Sequence, residues 1–237
     1  MHRSWHISTF LLILINVILG SLALIHNFNP AVLYSWGAVT GHQPAVQSLS
    51  EFPPFFLFHI HQGLLTKALT GTSLTLMRAF YASFLHFSLI HLASNMYALY
   101  VLGWMFDDLN YPGILIPLYI VCGIVSMLAA AHFNPNALTC GASGAIFGLM
   151  GAMITSAIKA KIEVKLNKKD PQTALNYMNV SGSIYGAVAV NLIVTFTTPG
   201  ISIPGHVFGF VAGLILGFLI PIREADQCSR SCANYHR

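Results

Sequence analysis

Charged side chains are scarce in this sequence: Asp, Glu, Lys and Arg make up 8% of its 237 residues, whereas hydrophobic residues make up 55%. Soluble domains carry about 25% charged residues. The shortage therefore excludes an ordinary soluble domain and indicates a membrane protein with several spans. The formal net charge of +4 reflects where the lysines lie on such a protein, and nucleic acid is not an expected partner.

Cysteine is also sparse, with four residues that are too scattered for a disulfide framework and show no CxxC or zinc-ligand spacing. Cys122 and Cys140 fall in or beside apolar segments, where packing is the expected role. Cys228 and Cys232 lie in the polar tail, where we expect free thiols, with palmitoylation as the alternative. The eleven histidines form no HExxH motif, so no metal or organic cofactor is expected.

Long apolar stretches are abundant instead, and six of them approach the roughly 20 residues that a bilayer crossing needs. They cover residues 7–26, 83–104, 113–132, 142–160, 178–197 and 204–222. The first follows Arg3 and resembles a signal peptide, but its apolar run exceeds the roughly 7–15 residues usual there and no small-residue cleavage site follows. We therefore expect an all-α, polytopic membrane protein with six transmembrane helices, the first of them retained.

The basic residues predict the orientation of these spans. If the N-terminus is cytoplasmic, nine of the eleven Lys and Arg residues face the cytoplasm, as the positive-inside rule requires. The nine are Arg3, Lys159, Lys161, Lys165, Lys168, Lys169, Arg223, Arg230 and Arg237, while Lys67 and Arg78 face outwards. We therefore expect a short cytoplasmic N-terminus (1–6), a membrane domain (7–222) and a short cytoplasmic tail (223–237).

The segment between the first two spans, residues 27 to about 82, is long and faces outwards in this topology. Its aromatic residues cluster beside Pro53 and Pro54; they are Phe52, Phe55, Phe56 and Phe58. Aromatic rings are favoured at the membrane interface. The segment therefore either lies in the outer interface or forms a compact cap, and the sequence favours neither. Residues 40–75 contain no recognisable motif.

Polar groups inside a membrane are costly and are therefore functional candidates, and this chain has three clusters of them. His86, His91 and Asn95 open the second span, Ser143 opens the fourth and His206 opens the sixth. All three spans run from outside to inside, so the clusters lie at a similar depth in the outer half of the membrane. Each cluster alone also has a structural explanation, as a helix N-cap or as hydrogen bonding between helices.

Glycines provide a way for these clusters to meet. The sixth span has one at every fourth residue, namely Gly205, Gly209, Gly213 and Gly217. The fourth span has a matching pair, Gly144 and Gly148, with Gly151 just beyond. Small residues at this spacing let two helix backbones approach closely. Because Ser143 adjoins one stripe and His206 the other, we predict that the hydroxyl and the imidazole come within hydrogen-bond reach, as nucleophilic catalysis needs.

The three clusters together resemble the motifs of the rhomboid family of intramembrane serine proteases. Gly141-Ala142-Ser143-Gly144 is similar to the GxSG nucleophile motif, His86-x4-His91-x3-Asn95 to the second-helix motif, and Gly205-His206-x2-Gly209-x2-Ala212-Gly213 to the sixth-helix motif. The resemblance covers roughly residues 75–220. Two positions depart from it, since Met77-Arg78 stands where the family often has Trp-Arg and Phe147 where many members have Tyr.

The resemblance implies an endopeptidase that cleaves transmembrane helices of other membrane proteins near the outer membrane face. Ser143 would be the nucleophile and His206 the general base. Asn95, His91 and the Ser143 backbone N–H would form the oxyanion hole. Supporting roles fall to His86, which would tether the outer loop, to Phe147, which would stack beneath the base, and to Gly141, Gly144, Gly205, Gly209 and Gly213. Only Glu51 of the seven acidic residues faces outwards, which indicates a dyad.

Two other functions remain open. An inactive relative would bind membrane clients without cutting them, but such relatives usually lose the nucleophile or the base, and Ser143 and His206 are both present. A small transporter would need acidic residues within its spans, and the predicted spans supply none for such a path. The minimal six-span core favours a bacterial cytoplasmic membrane, although a eukaryotic secretory membrane would produce the same charge pattern.

Overall fold

A computed structural model of the protein describes residues 6–41, 72–109, 113–198 and 200–224. The predicted cytoplasmic N-terminus (apart from residue 6), the aromatic cluster of the outer segment and the two cysteines of the tail lie outside the described residues. The choice between an interfacial segment and a compact cap for residues 27–82 therefore stays open.

The described part of the chain is helical and contains no β-strand. Its eight helices are α1 (Ile7–Ile25), α2 (Pro30–Ser35), α3 (Thr72–Ala82), α4 (Leu89–Leu109), α5 (Leu115–Phe133), α6 (Ser143–Lys165), α7 (Pro171–Thr197) and α8 (Ile203–Gly217). A single bridge between extended residues joins Val39 to Thr139. The prediction of an all-α protein is confirmed for these ranges.

Four of the helices are long and apolar enough to cross a membrane. The candidate spans are Ile7–Ile25, Leu89–Phe106, Leu115–Phe133 and Ser143–Lys165, with mean hydropathies of 2.4, 1.3, 2.0 and 1.4. The fifth and sixth predicted spans coincide with shorter apolar helical segments, Tyr185–Thr197 and Ile203–Gly217. The structure therefore supports a membrane bundle with at least four spans, and the count of six stays a prediction.

The outer surface of the bundle is apolar where a soluble protein would be polar. All six helices that overlap the predicted spans expose aliphatic side chains, including Ile18 (50% exposed), Ile90 (83%), Val121 (43%), Ile158 (46%), Ile193 (63%) and Ile215 (62%). Large apolar patches on a protein surface indicate contact with a membrane or a partner. This exterior matches a chain whose helices are surrounded by lipid.

Helix α6 lies at the centre of the bundle, and 72% of its apolar stretch is buried inside the protein. Its glycine face packs directly on α8. A methyl group at Gly209 would overlap the carbonyl oxygen of Gly144, and one at Gly213 would overlap that of Gly148. Because neither helix has a side chain at these points, the two backbones are in contact.

The start of α8 is determined by the residue before it and by a proline in its first turn. The Ser202 hydroxyl accepts a hydrogen bond from the backbone N–H of Gly205 at 3.2 Å, which is the role of an N-cap. Pro204 follows within the first turn, where its missing N–H breaks no helical bond. His206 is thereby placed in the first turn of the helix, at the end of α8 that meets the start of α6.

Helix α4 begins later than predicted. The apolar pattern predicted a span from residue 83, whereas the helix starts at Leu89. The preceding residues form the turn that ends α3, in which the N–H groups of Ser83 and Phe84 donate to the carbonyls of Phe80 and Tyr81. His86 therefore lies ahead of the helix, and the prediction that it opens the second span together with His91 and Asn95 is wrong for His86.

Candidate active site

Ser143 and His206 are hydrogen-bonded to each other. Ser143 is the first residue of α6, His206 lies in the first turn of α8, and the distance from Ser143 Oγ to His206 Nε2 is 2.7 Å, within the usual range. The His206 side chain is buried, with 8% exposed. The close packing of the two glycine stripes accounts for this distance.

The His206 ring has two further contacts that restrict its orientation. Phe147, one helical turn after Ser143, stacks on the imidazole with ring centroids 4.4 Å apart and planes 20° apart. At the edge of the ring, the Thr195 hydroxyl oxygen lies 2.7 Å from His206 Nδ1. Thr195 is near the end of α7 and only 2% exposed. Three helices thus contribute to the position of one ring.

Thr195 was not identified from the sequence. A threonine in an apolar helix commonly bonds to the carbonyl four residues earlier, and Thr195 does so with Asn191 at 2.7 Å. Nothing in that pattern indicates a second partner. The contact with His206 joins the end of α7 to the first turn of α8, and no spacing within one helix predicts it.

Gly141 lies beside both the His91 ring and the Ser143 hydroxyl. A methyl group on Gly141 would be 3.0 Å from His91 Nε2 and 3.6 Å from Ser143 Oγ. Gly141 has a backbone φ of +142°, a conformation that favours glycine. Its N–H donates to the carbonyl of Ala82 at 2.9 Å. Glycine is therefore needed here both for the backbone conformation and for the space beside the imidazole.

Asn95 is one helical turn after His91 and lines the same cavity as Ser143. Its side chain is 7% exposed, and its Nδ2 has no hydrogen-bond partner among the described residues. A buried donor without a partner is costly. Such a group is expected where a ligand completes the bonding. The backbone N–H of Ser143 is one of the first of α6, which have no partner within the helix.

His86 supports His91 from outside the cavity. The two rings meet edge to face, with centroids 5.0 Å apart and planes at 67°. His86 is fully buried and is not one of the described residues that line the cavity. Contact with His91 therefore accounts for its placement better than contact with a substrate.

Arg78 of α3, next to one of the positions that depart from the family pattern, ties residues 34–38 of the outer segment to that helix. Its Nη2 donates to the carbonyl oxygens of Tyr34 at 2.6 Å and Ala38 at 2.9 Å. Its guanidinium also lies 4.2 Å above the Tyr34 ring. The side chain is 0% exposed. Although Met77 stands where the family often has Trp, the neighbouring Arg78 still holds the backbone of residues 34–38.

A cavity of 690 Å³ opens over Ser143 and His206, a volume within the roughly 300–1,000 Å³ of ligand pockets. Its walls come from α4, from the link between α5 and α6, and from the ends of α7 and α8; they include Phe87, Ile90, Leu138, Cys140, Val194 and Ile201. No acidic side chain is among the described residues that line it. Within the described ranges, no three His, Cys, Asp or Glu side chains lie close enough to hold a metal ion.

A family model for the Rhomboid domain matches residues 73–223, which is more than half of the chain. The chain therefore belongs to the rhomboid family. Together with the apolar helices and their lipid-compatible exterior, this membership identifies an integral membrane protein of a protease family. The match includes every residue proposed from the motifs, from His86 to Gly213.

Similar curated proteins come from plants, bacteria and fungi. RHOMBOID-like protein 1 of Arabidopsis thaliana is 29% identical over 183 residues, which are 76% of this chain and 44% of that protein. Rhomboid protease GluP of Bacillus subtilis is 28% identical over 141 residues, 60% of this chain and 25% of that protein. Rhomboid-type serine protease 2 of Eremothecium gossypii is 28% identical over 167 residues, 69% of this chain and 60% of that protein. The chain thus spans less than half the length of the first two.

Proposed function

We propose that this protein is an intramembrane serine endopeptidase with a catalytic dyad formed by Ser143 and His206. The observation that carries the proposal is the 2.7 Å hydrogen bond between Ser143 Oγ and His206 Nε2. That bond joins a nucleophile to a base at the floor of a cavity. Membership of a family that includes a protein named as a protease supports the same chemistry.

The reaction proceeds through an acyl-enzyme. Ser143 attacks the carbonyl carbon of the scissile peptide bond while its proton passes to His206 Nε2. The imidazolium then protonates the leaving amine, and an ester remains on Ser143. Water, deprotonated by His206, hydrolyses this ester and restores the free hydroxyl.

The negative oxygen of the tetrahedral intermediate needs donors that are already in place. Asn95 Nδ2, a ring nitrogen of His91 and the backbone N–H of Ser143 are the donors we assign. Asn95 Nδ2 has no hydrogen-bond partner in the part of the chain that the structure describes, which supports this assignment. The start of α6 adds the positive end of a helix dipole at the same place.

For the topology, we propose six spans formed by α1, α4, α5, α6, α7 and α8, with both termini in the cytoplasm. This arrangement gives a membrane domain over residues 7–222, a short N-terminus at 1–6 and a tail at 223–237. The distribution of Lys and Arg supports it, since nine of eleven then face inwards. Ser143 and His206 accordingly lie in the outer half of the membrane.

The substrates we propose are transmembrane helices of other membrane proteins, cut near their outer ends. A helical peptide bond is protected by its own hydrogen bonds, so a cleavable helix contains residues that unwind easily, such as Gly or Pro. The named relatives are largely eukaryotic. The comparisons therefore give no support to a bacterial cytoplasmic membrane, and we assign an integral membrane location only.

Cleavage of a single-span model substrate in proteoliposomes tests the proposal. The wild-type protein is expected to cut it, and Ser143→Ala and His206→Ala are each expected to abolish cutting. Binding of the helix by wild type without cleavage would favour an inactive, client-binding relative. Equal cleavage by wild type and Ser143→Ala would contradict the serine mechanism.

A further inference from the structure

The second nitrogen of the proposed base is held by a hydroxyl group rather than by an acid. His206 Nδ1 lies 2.7 Å from Thr195 Oγ1, and Thr195 Oγ1 also lies 2.7 Å from the carbonyl oxygen of Asn191. Thr195 is 2% exposed. Four groups therefore form a continuous hydrogen-bonded chain, running from the Ser143 hydroxyl through the imidazole and the Thr195 hydroxyl to the Asn191 carbonyl.

The direction of this chain follows from counting hydrogens. A carbonyl oxygen can only accept, and a threonine hydroxyl has one hydrogen to give. When that hydrogen goes to Asn191, Thr195 Oγ1 can only accept from His206. The proton of the neutral imidazole is then on Nδ1, and Nε2 has its lone pair directed at the Ser143 hydroxyl. A general base requires this tautomer.

The opposite direction leaves the site unable to start the reaction. If Thr195 donated to Nδ1, the ring proton would be on Nε2 and would point at Ser143 Oγ. The Asn191 carbonyl would also lose the hydrogen bond from Thr195. Among the described residues that line the cavity, no acid is present to select the tautomer, so the selection depends on the hydroxyl.

We propose that Thr195 is a positioning residue that holds His206 in the Nδ1–H tautomer by accepting its hydrogen bond. This inference rests on the proposed serine mechanism and adds to it the group that orients the base. The same contact stays in place when Ser143 transfers its proton, because the imidazolium keeps its Nδ1–H. A hydrogen bond to a charged group is stronger than one between neutral groups, so Thr195 stabilises the transition state more than the resting enzyme.

The test compares three substitutions in the full-length protein in proteoliposomes. Thr195→Val removes the hydroxyl with little change of shape, and Thr195→Ser keeps it. Thr197→Val is the matched control, because Thr197 is two residues away on the same helix and bonds to the carbonyl of Ile193 at 2.7 Å, but is exposed. We expect Thr195→Val to lower kcat on the order of tenfold to a hundredfold with KM unchanged. Thr195→Ser and Thr197→Val are expected to stay close to wild type.

A second readout needs no substrate. Nitrogen-15 spectra of labelled histidine, with the His206 signals assigned from His206→Gln, report which ring nitrogen carries the proton. We expect the Nδ1–H tautomer to predominate in wild type and in Thr197→Val. In Thr195→Val we expect it no longer to predominate over the Nε2–H tautomer. This measurement tests Thr195 even if wild type cuts no substrate, an outcome that would contradict only the proposed function.

Three results would overturn the role of Thr195. The first is an Nε2–H tautomer in the wild-type protein. The second is a kcat for Thr195→Val equal to that of wild type. The third is an equal loss of kcat in Thr195→Ser and Thr195→Val at an unchanged unfolding temperature, because the hydroxyl would then not be the group that matters.

Discussion

The backbone of Gly209 on α8 lies against the carbonyl oxygen of Gly144 on α6, with no space for a methyl group between them. Gly144 is the residue after Ser143, and Gly209 is three residues after His206. The distance between the two proposed catalytic side chains is therefore set by the contact between these two glycines, which lie next to Ser143 on α6 and about one turn after His206 on α8.

Substituting Gly209 is expected to damage the site without touching it. Gly209→Ala introduces a methyl group that overlaps the Gly144 carbonyl, so α8 must move away from α6. We expect overpacking to cost about 1–3 kcal/mol of unfolding free energy and cleavage to fall with the lengthened Ser143–His206 distance. Thermal unfolding and proteoliposome cleavage measure the two effects.

Gly186→Ala is the matched control for this change. Gly186 is also a helical glycine, but a methyl group there meets nothing within 4 Å, and alanine is favoured over glycine in a helix by about 1 kcal/mol. The control is expected to be neutral or slightly stabilised and fully active. If Gly209→Ala behaved like Gly186→Ala, close helix contact would not determine the dyad geometry.

These glycines also mark how far the sequence could predict the structure. Their four-residue spacing predicted a contact between two helices and, through it, the Ser143–His206 pair. This was possible because the spacing of residues along one helix can be read from the sequence. The start of α4 and the partner of His206 on α7 could not be predicted in this way. The first depends on the turn that ends α3, and the second on a contact between two helices that no spacing within either helix predicts.

Asn95 is expected to act on the rate rather than on substrate binding. Its Nδ2 has no partner among the described residues and would donate to the oxyanion that forms during catalysis. We expect Asn95→Ala to lower kcat on the order of 10²–10³ with a small change in KM, and to leave more residual activity than Ser143→Ala. Steady-state kinetics with a single-span substrate measure this difference.

Asn176→Ala controls for the loss of an asparagine elsewhere in the bundle. Asn176 is on α7 near the opposite end of the protein, where its side chain accepts a hydrogen bond from Gln172 at 2.9 Å. We expect its kcat to equal that of wild type. An Asn95→Ala variant that raised KM while keeping kcat would indicate that Asn95 binds the substrate in its ground state.

Phe147 is expected to support catalysis through the flat face of its ring and not only through its volume. The ring stacks on His206 at 4.4 Å, and an aromatic pair contributes about 0.5–1.5 kcal/mol beyond the burial of its area. Phe147→Leu keeps an apolar side chain but removes the flat face, so kcat should fall roughly twofold to tenfold. Phe147→Tyr keeps the ring and should stay close to wild type. Equal activity of Phe147→Leu and wild type would show that packing alone holds the imidazole.

Arg78 is expected to determine how firmly residues 34–38 of the outer segment are attached to α3. Both of its Nη2 hydrogen bonds go to backbone carbonyls of that segment, those of Tyr34 and Ala38. Arg78→Lys keeps the positive charge, but a compact ammonium cannot reproduce the planar guanidinium that bonds both oxygens and covers the Tyr34 ring. Hydrogen bonds to charged groups contribute about 1.5–3 kcal/mol each. We therefore expect a lower unfolding temperature and faster proteolysis near residues 30–41.

Lys161→Met provides the comparison for Arg78→Lys, because Lys161 is an exposed residue of α6 and its replacement removes a charge without removing an anchor. It should unfold at the wild-type temperature. If Arg78→Lys did the same and its outer segment resisted proteolysis equally, a positive charge at position 78 would be sufficient. The guanidinium geometry would then not be what attaches the segment, and the change from Trp to Met at position 77 would need a different compensation.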